Sequence, residues 1–189
     1  MLMQYEACVV LLFYKPPADD PFMNRVVAWL DGPYCHCEIA FIPAAAQQGG
    51  LQILASSIYA DEPVFLKNRT FSNTQYDSIT LTVKPWQVHK MLQFCRDAVE
   101  RKQGFDTWGF YTCMLPGSGF FFQSGGRDVT FCSKFVAECL QHGDVCEFKS
   151  LMPTQCTPSA LHRETLARGK GSMIFCPLKV RMQDLRCGD

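Results

Sequence analysis

Apolar and polar positions follow two rhythms along this chain, one of period two or less and one of helical period. Ala7–Tyr14 (ACVVLLFY) is a continuous β-branched and aromatic run, which predicts a buried strand. Lys15-Pro16-Pro17 ends it. Asp19 or Asp20 is placed to cap a helix over Pro21–Leu30, in which Phe22, Val26 and Trp29 or Leu30 recur at helical spacing. Asp31-Gly32-Pro33 stops that helix. Tyr34–Ile42 reads as a second strand. After a turn over Pro43 and Gln47–Gly50, Leu51–Tyr59 reads as a third, and Pro63–Leu66 as a short extended piece. Asp77–Val83 alternates, with Ile79, Leu81 and Val83 on one face.

From Pro85 the period lengthens. Val88, Met91, Leu92, Cys95 and Val99 predict an amphipathic helix over Pro85–Lys102, ended by Gln103-Gly104. Asp106 caps a shorter helix reaching Leu115. Pro116–Asp128 holds four glycines and the triplet Phe120-Phe121-Phe122, and reads as a loop beside a site. Phe131–His142 is a helix with apolar Phe135, Val136, Cys139 and Leu140. Pro158–Arg168 is a helix begun by Thr157, and Met173–Val180 is a last strand before a polar tail. The pattern predicts one α+β domain over residues 1–189, with its core at about 5–180. An antiparallel sheet, built early and late in the chain, packs against helices.

Composition narrows the function classes. Eighteen Lys and Arg balance eighteen Asp and Glu, so no net charge draws the chain to nucleic acid or an anionic membrane. A hydrophobic fraction of 48% excludes disorder. The eleven cysteines are odd in number and include no CxxC pair, Met1–Glu6 has no basic segment, and no apolar stretch approaches the ~20 residues of a membrane span. These features predict free thiols in a reducing, cytoplasmic compartment, the host cytoplasm for a viral chain, with no stable membrane anchor. No cofactor is implied. A zinc site is disfavoured too, because a strand through Cys35-His36-Cys37 points its thiols away from its imidazole.

One thiol stands apart by position. Cys132 begins a predicted helix directly after the Gly-rich stretch, where the helix dipole favours a thiolate and free N–H groups can hold an oxyanion. The plain alternative is a small buried packing residue. A nucleophile needs a base, and there are four histidines. His89, His142 and His162 read as solvated helix residues, whereas His36 lies inside a predicted strand that can hold an imidazole rigidly against a helix start.

Several segments around these residues share an order with one family. Trp29, Gly32-Pro33 and Tyr34-Cys35-His36-Cys37-Glu38-Ile39 come first, then Ser56-Ser57 with Asp61, Val64 and Lys67, then Tyr76-Asp77-Ser78-Ile79. Gly104-Phe105-Asp106-Thr107-Trp108-Gly109, Phe131-Cys132-Ser133-Lys134-Phe135-Val136 and Thr157-Pro158-Ser159-Ala160-Leu161 follow. Together they resemble the circularly permuted NlpC-like cysteine hydrolases. This papain-like group includes YiiX-type, phage and poxvirus members and, more distantly, the lecithin–retinol acyltransferase branch. The resemblance implies a permuted papain-like fold with Cys132 as nucleophile and His36 as general base. It also implies a polar orienting residue on the strand after that of the histidine, which here offers Ser56 and Ser57. Glu38, two residues from His36 on the same strand face, is an alternative orienter. Lys134 stands where the family often has Glu, which implies altered substrate polarity.

The implied activity is a thiol-dependent hydrolase or acyltransferase acting on an amide, ester or thioester acyl group of a peptide or lipid. The competing class is a non-catalytic lipid- or protein-binding module that keeps the fold.

Overall fold

A computed structural model describes residues 7–42, 53–71, 74–114 and 128–169. Their order is β1 (Ala7–Tyr14), α1 (Phe22–Asp31), β2 (His36–Ile42), β3 (Ile53–Ser57), β4 (Phe65–Arg69), β5 (Tyr76–Val83), α2 (Pro85–Glu100), β6 (Gly104–Phe105), α3 (Thr107–Cys113), β7 (Val129–Thr130), α4 (Cys132–His142) and α5 (Pro158–Gly169). The architecture is α+β. A five-stranded antiparallel sheet runs β4-β3-β2-β1-β5, and five helices accompany it among the described residues. β1 lies inside the sheet between β2 and β5, as a continuously apolar strand should, and its two faces feed two different cores.

The larger core lies between the sheet and the helices. Val9, Leu11 and Phe13 of β1, Cys37, Ile39 and Phe41 of β2, and Ile79, Leu81 and Val83 of β5 face Met91 and Cys95 of α2 and Phe135, Val136, Cys139 and Leu140 of α4. The period-two strands and period-3.6 helices meet there, and that match closes the core. On the opposite sheet face, Val10, Leu12, Ala40, Ala55 and Phe71 form a smaller cluster.

Local signals act as their chemistry dictates. Asp106 caps α3 by accepting the Gly109 N–H at 2.8 Å. Gln87 reaches back to the Lys84 N–H at 2.9 Å, and Pro85 opens α2. Thr157 Oγ1 accepts the Ala160 N–H at the start of α5. That start is also tied to the end of α1, because Asp31 accepts from the Thr157 hydroxyl and from the Ser159 N–H. Gly32 makes this approach possible. Its φ is +123°, and an added Cβ would meet Ser159 Oγ at 3.0 Å.

Several expectations need correction. The spacing of Phe22, Val26 and Trp29 or Leu30 predicts the buried face of α1, yet Phe22 is 69% and Trp29 82% exposed. Val27 is buried instead, against Cys35, Phe110 and Phe131. Periodicity marks an apolar stripe but not the neighbour that covers it. Neither Asp19 nor Asp20 caps α1: Pro21 occupies the cap, and Asp20 accepts from Tyr14 and Asn24 side chains. The extended piece at Pro63–Leu66 is the edge strand β4, which continues through Lys67, Asn68 and Arg69. Charged residues suit an edge, and they hide a strand from a hydrophobicity reading. The two-residue strands β6 and β7 pair in parallel and are too short to leave a pattern. The expected last strand at Met173–Val180, the turn at Gln47–Gly50 and the Phe120–Phe122 triplet lie outside the described residues. Among the described residues no helix is long and apolar enough to cross a membrane.

Candidate active site

Cys132 is the first residue of α4. Phe131 precedes it in an extended conformation (φ −132°, ψ 164°), and the Phe135 N–H closes the first turn on the Phe131 carbonyl at 2.8 Å. The chain arrives there through β7, which is held by β6. The buried face of α4 then lies across the sheet, bringing the Cys132 thiol, 2% exposed, to the first residues of β2.

Those residues are His36 and Cys37. Cys132 shares the main core with Cys37, and its sulfur feels both Cys37 and the His36 imidazole at the start of β2. The Cys37 thiol is the largest influence. Burial opposes it, the His36 charge reinforces it, and Cys132 is held well below the ordinary 9.0. His36, 8% exposed, responds in the opposite sense. Burial depresses it, but the negative charge on Cys132 and the carboxylate of Glu38 outweigh burial and raise it from 6.5 to about 9. The two shifts have opposite signs, as attraction between a sulfur and an imidazole requires.

Glu38 is wholly buried on the same strand face as His36, and its Oε1 lies 3.7 Å from His36 Nε2. The same oxygen accepts the Tyr59 hydroxyl at 3.1 Å and the Tyr76 hydroxyl at 3.4 Å, and pairs with Arg69 at 3.2 Å. Tyr59 also stacks on the His36 ring, with centroids 4.5 Å apart and planes 21° apart. Burial and the nearby carboxylate push the Tyr59 phenol up to about 12, so it remains a donor. Two buried atoms here have no hydrogen-bond partner, His36 Nε2 and Glu38 Oε2. A buried carboxylate with one guanidinium and two phenols around it is costly to build. It suits a site that must hold an imidazole in one orientation.

The two serines are committed elsewhere. Ser56 Oγ donates to the Phe65 carbonyl and Ser57 Oγ to the Cys37 carbonyl, each at 2.6 Å, so both hydroxyl protons are used on the main chain. Of the three side chains considered as orienters, Glu38 is the one beside the imidazole. His89 and His142 are exposed, as the sequence predicts. His162 is not: it packs edge-on to Phe13 at 4.9 Å, and its Nε2 lies 3.2 Å from the Tyr34 hydroxyl. Sequence reasoning missed Cys37, Tyr59, Arg69 and Tyr76. Cys37 carried a signal, since alternation sends it to the helix side of β2, where a helix-start thiol must lie. The other three reach Glu38 from β4, β5 and the segment after β3, and no local pattern links them.

Among the described residues no three His, Cys, Asp or Glu side chains are grouped as metal ligands. No family model, curated protein or solved structure matches the chain. What the site can do is therefore read from its own geometry.

Proposed function

We propose that the chain is a thiol-dependent hydrolase or acyltransferase with a permuted papain-like fold, in which Cys132 is the nucleophile, His36 the general acid and base, and Glu38 the residue that orients His36. The observation that carries this reading is a buried cysteine at the start of α4, packed on the strand of His36, whose Nε2 has the buried Glu38 carboxylate 3.7 Å away. With Nε2 facing Glu38, Nδ1 is the nitrogen left to exchange a proton with Cys132.

The chemistry follows in two halves. The Cys132 thiolate attacks the acyl carbon of an amide, ester or thioester, and N–H groups at the helix start stabilise the oxyanion. His36, already an imidazolium, protonates the departing amine, alcohol or thiol. The neutral imidazole then takes a proton from water, or from an acceptor alcohol, which attacks the thioester and releases Cys132. Peptide and lipid acyl groups both satisfy this scheme. A non-catalytic lipid- or protein-binding module is the competing reading, and the solvent-facing Phe22, Met23, Trp29 and Leu30 of α1 favour it.

Iodoacetamide labelling across pH, with the labelled cysteine mapped by mass spectrometry, separates the two. The enzyme reading requires Cys132 to be alkylated near pH 6 faster than the exposed Cys146. Equal or slower labelling of Cys132 removes the activated thiolate and with it the enzyme. Capture of an acyl thioester on Cys132 from a peptide or lipid pool then identifies the substrate class.

A further inference from the structure

Helix α1 turns its apolar stripe to solvent. Phe22, Met23, Val26, Trp29 and Leu30 fall within about 120° of one another around the helix axis. Val27, which is buried, and Asn24 and Ala28, which are half-buried, take the other side. Through Val27 the helix packs on Cys35, Phe110 and Phe131. Single apolar side chains scatter over any protein surface, but large ones lined up on one helix face mark a place where something binds.

The shape of the face indicates what covers it. Phe22, Arg25, Val26 and Trp29 line a shallow groove. Their spacing is i, i+3, i+4, i+7, the four-residue hole that receives one side chain of a facing helix. The apolar positions are also symmetric about Val26. Phe22 and Leu30 lie four residues to either side of it, and Met23 and Trp29 three residues to either side. An antiparallel second copy of α1 therefore sets Val26 in the opposing groove, Phe22 against Leu30 and Met23 against Trp29. Each contact is made twice, as a two-fold axis requires.

Area and charge favour this occupant. Phe22, Met23, Trp29 and Leu30 are 69%, 47%, 82% and 59% exposed. Side chains of that size then offer roughly 550 Å² per copy, or about 1,100 Å² for two, just above the ~1,000 Å² of a specific interface. An area at that lower limit gives a dimer that dissociates on dilution. A helix that lies in a membrane surface carries Lys and Arg around its apolar face. Here Asp19 and Asp20 precede the helix, Asp31 ends it, and Arg25 is its only cation. Arg25 is moreover engaged by the Ala18 carbonyl at 3.0 Å and by the Phe22 ring.

We propose that the exposed face of α1 is a self-association surface, through which two copies of this chain form a reversible two-fold dimer. No residue of this face belongs to the Cys132–His36 site, so the dimer and the thiol chemistry fail or hold separately.

Sedimentation velocity of the full chain in dithiothreitol, from about 1 to about 300 μM, is the test. The expected result is a monomer at the dilute end and a dimer at the concentrated end. Trp29→Glu sets a charge in the interface and should weaken the dimer about tenfold or more, with the rate of Cys132 alkylation unchanged. A second variant reads the axis directly. With the exposed Cys146 removed as Cys146→Ser, Val26→Cys places a thiol where the two helices cross. Mild oxidation should then join two chains through position 26, mapped by mass spectrometry after digestion without reductant. A wild-type chain that stays monomeric over the whole range overturns the proposal. So does a dimer that Trp29→Glu leaves intact, or one that does not join at position 26. Flotation of a monomeric wild-type chain with phosphatidylcholine vesicles, lost in Trp29→Glu, would overturn it in favour of a membrane. If Trp29→Glu does not fold, the position 26 cross-link decides.

Discussion

Glu38 Oε1 lies 3.7 Å from His36 Nε2, two positions along one strand, with the carboxylate wholly buried. The alternation of β2 alone brings these side chains to one face, and Tyr59, Tyr76 and Arg69 hold the carboxylate there. A charged group in that position raises the proton affinity of the imidazole and fixes its ring. Glu38→Gln keeps the shape and removes the charge. In the variant the imidazole should lose its proton at a lower pH, so the alkaline step in Cys132 labelling should move down from its wild-type place near about 9. Unchanged labelling would leave Glu38 a structural residue.

The pH dependence of labelling follows from the two opposed shifts. Cys132 is depressed well below 9.0, so its alkylation rises through a step on the acid side and then levels. His36 loses its proton near about 9, so a second change in rate appears there as the imidazolium disappears. His36→Gln removes the second step and moves the first toward the ordinary thiol range. A single transition near 9 in the wild type would show that no ion pair exists.

Arg69 is the only cation among the described residues paired with Glu38 apart from His36. Arg69→Ala leaves a buried carboxylate with the imidazole and two phenols, and loss of one partner of a buried pair costs about 3–5 kcal/mol. Urea denaturation should show a fall of that order. Glu38→Gln combined with Arg69→Ala should recover part of it, because the uncompensated charge is then gone.

Ser57 offers a control. Its hydroxyl bonds the Cys37 carbonyl rather than the imidazole, so Ser57→Ala should cost about 1 kcal/mol in stability and leave the pH profile of Cys132 labelling unmoved. A shifted profile would return Ser57 to the site.

Gly32 connects the two helices that flank the start of β2. Ala at this position forces a side chain into φ +123° and against Ser159, so Gly32→Ala should lower stability by about 1–3 kcal/mol, measured as a denaturation midpoint. Asp31→Ala should cost about 1–2 kcal/mol through loss of the α5 cap.

Much of this molecule is legible in its sequence. Strands β1, β2 and β5, helices α2 to α5 and the Asp106 cap follow from periodicity and capping chemistry, because those signals are local. The signals for the two proposed site residues are local too: Cys132 stands out by its helix start and His36 by its strand. The sequence misread which face of α1 is covered, and it left open how far β4 runs and which side chain stands beside His36. Ser56, Ser57 and Glu38 are equally plausible when read along the chain, since polarity and spacing are all that a sequence displays. Only the packed sheet decides among them. Register sends the two hydroxyls to the carbonyls of Phe65 and Cys37, and brings Arg69 and two tyrosines from distant segments onto Glu38. The same packing puts Cys37 and Cys132 in one core. Periodicity determines what each element is, and long-range contact determines what each side chain meets. The chemistry of this site depends on the second.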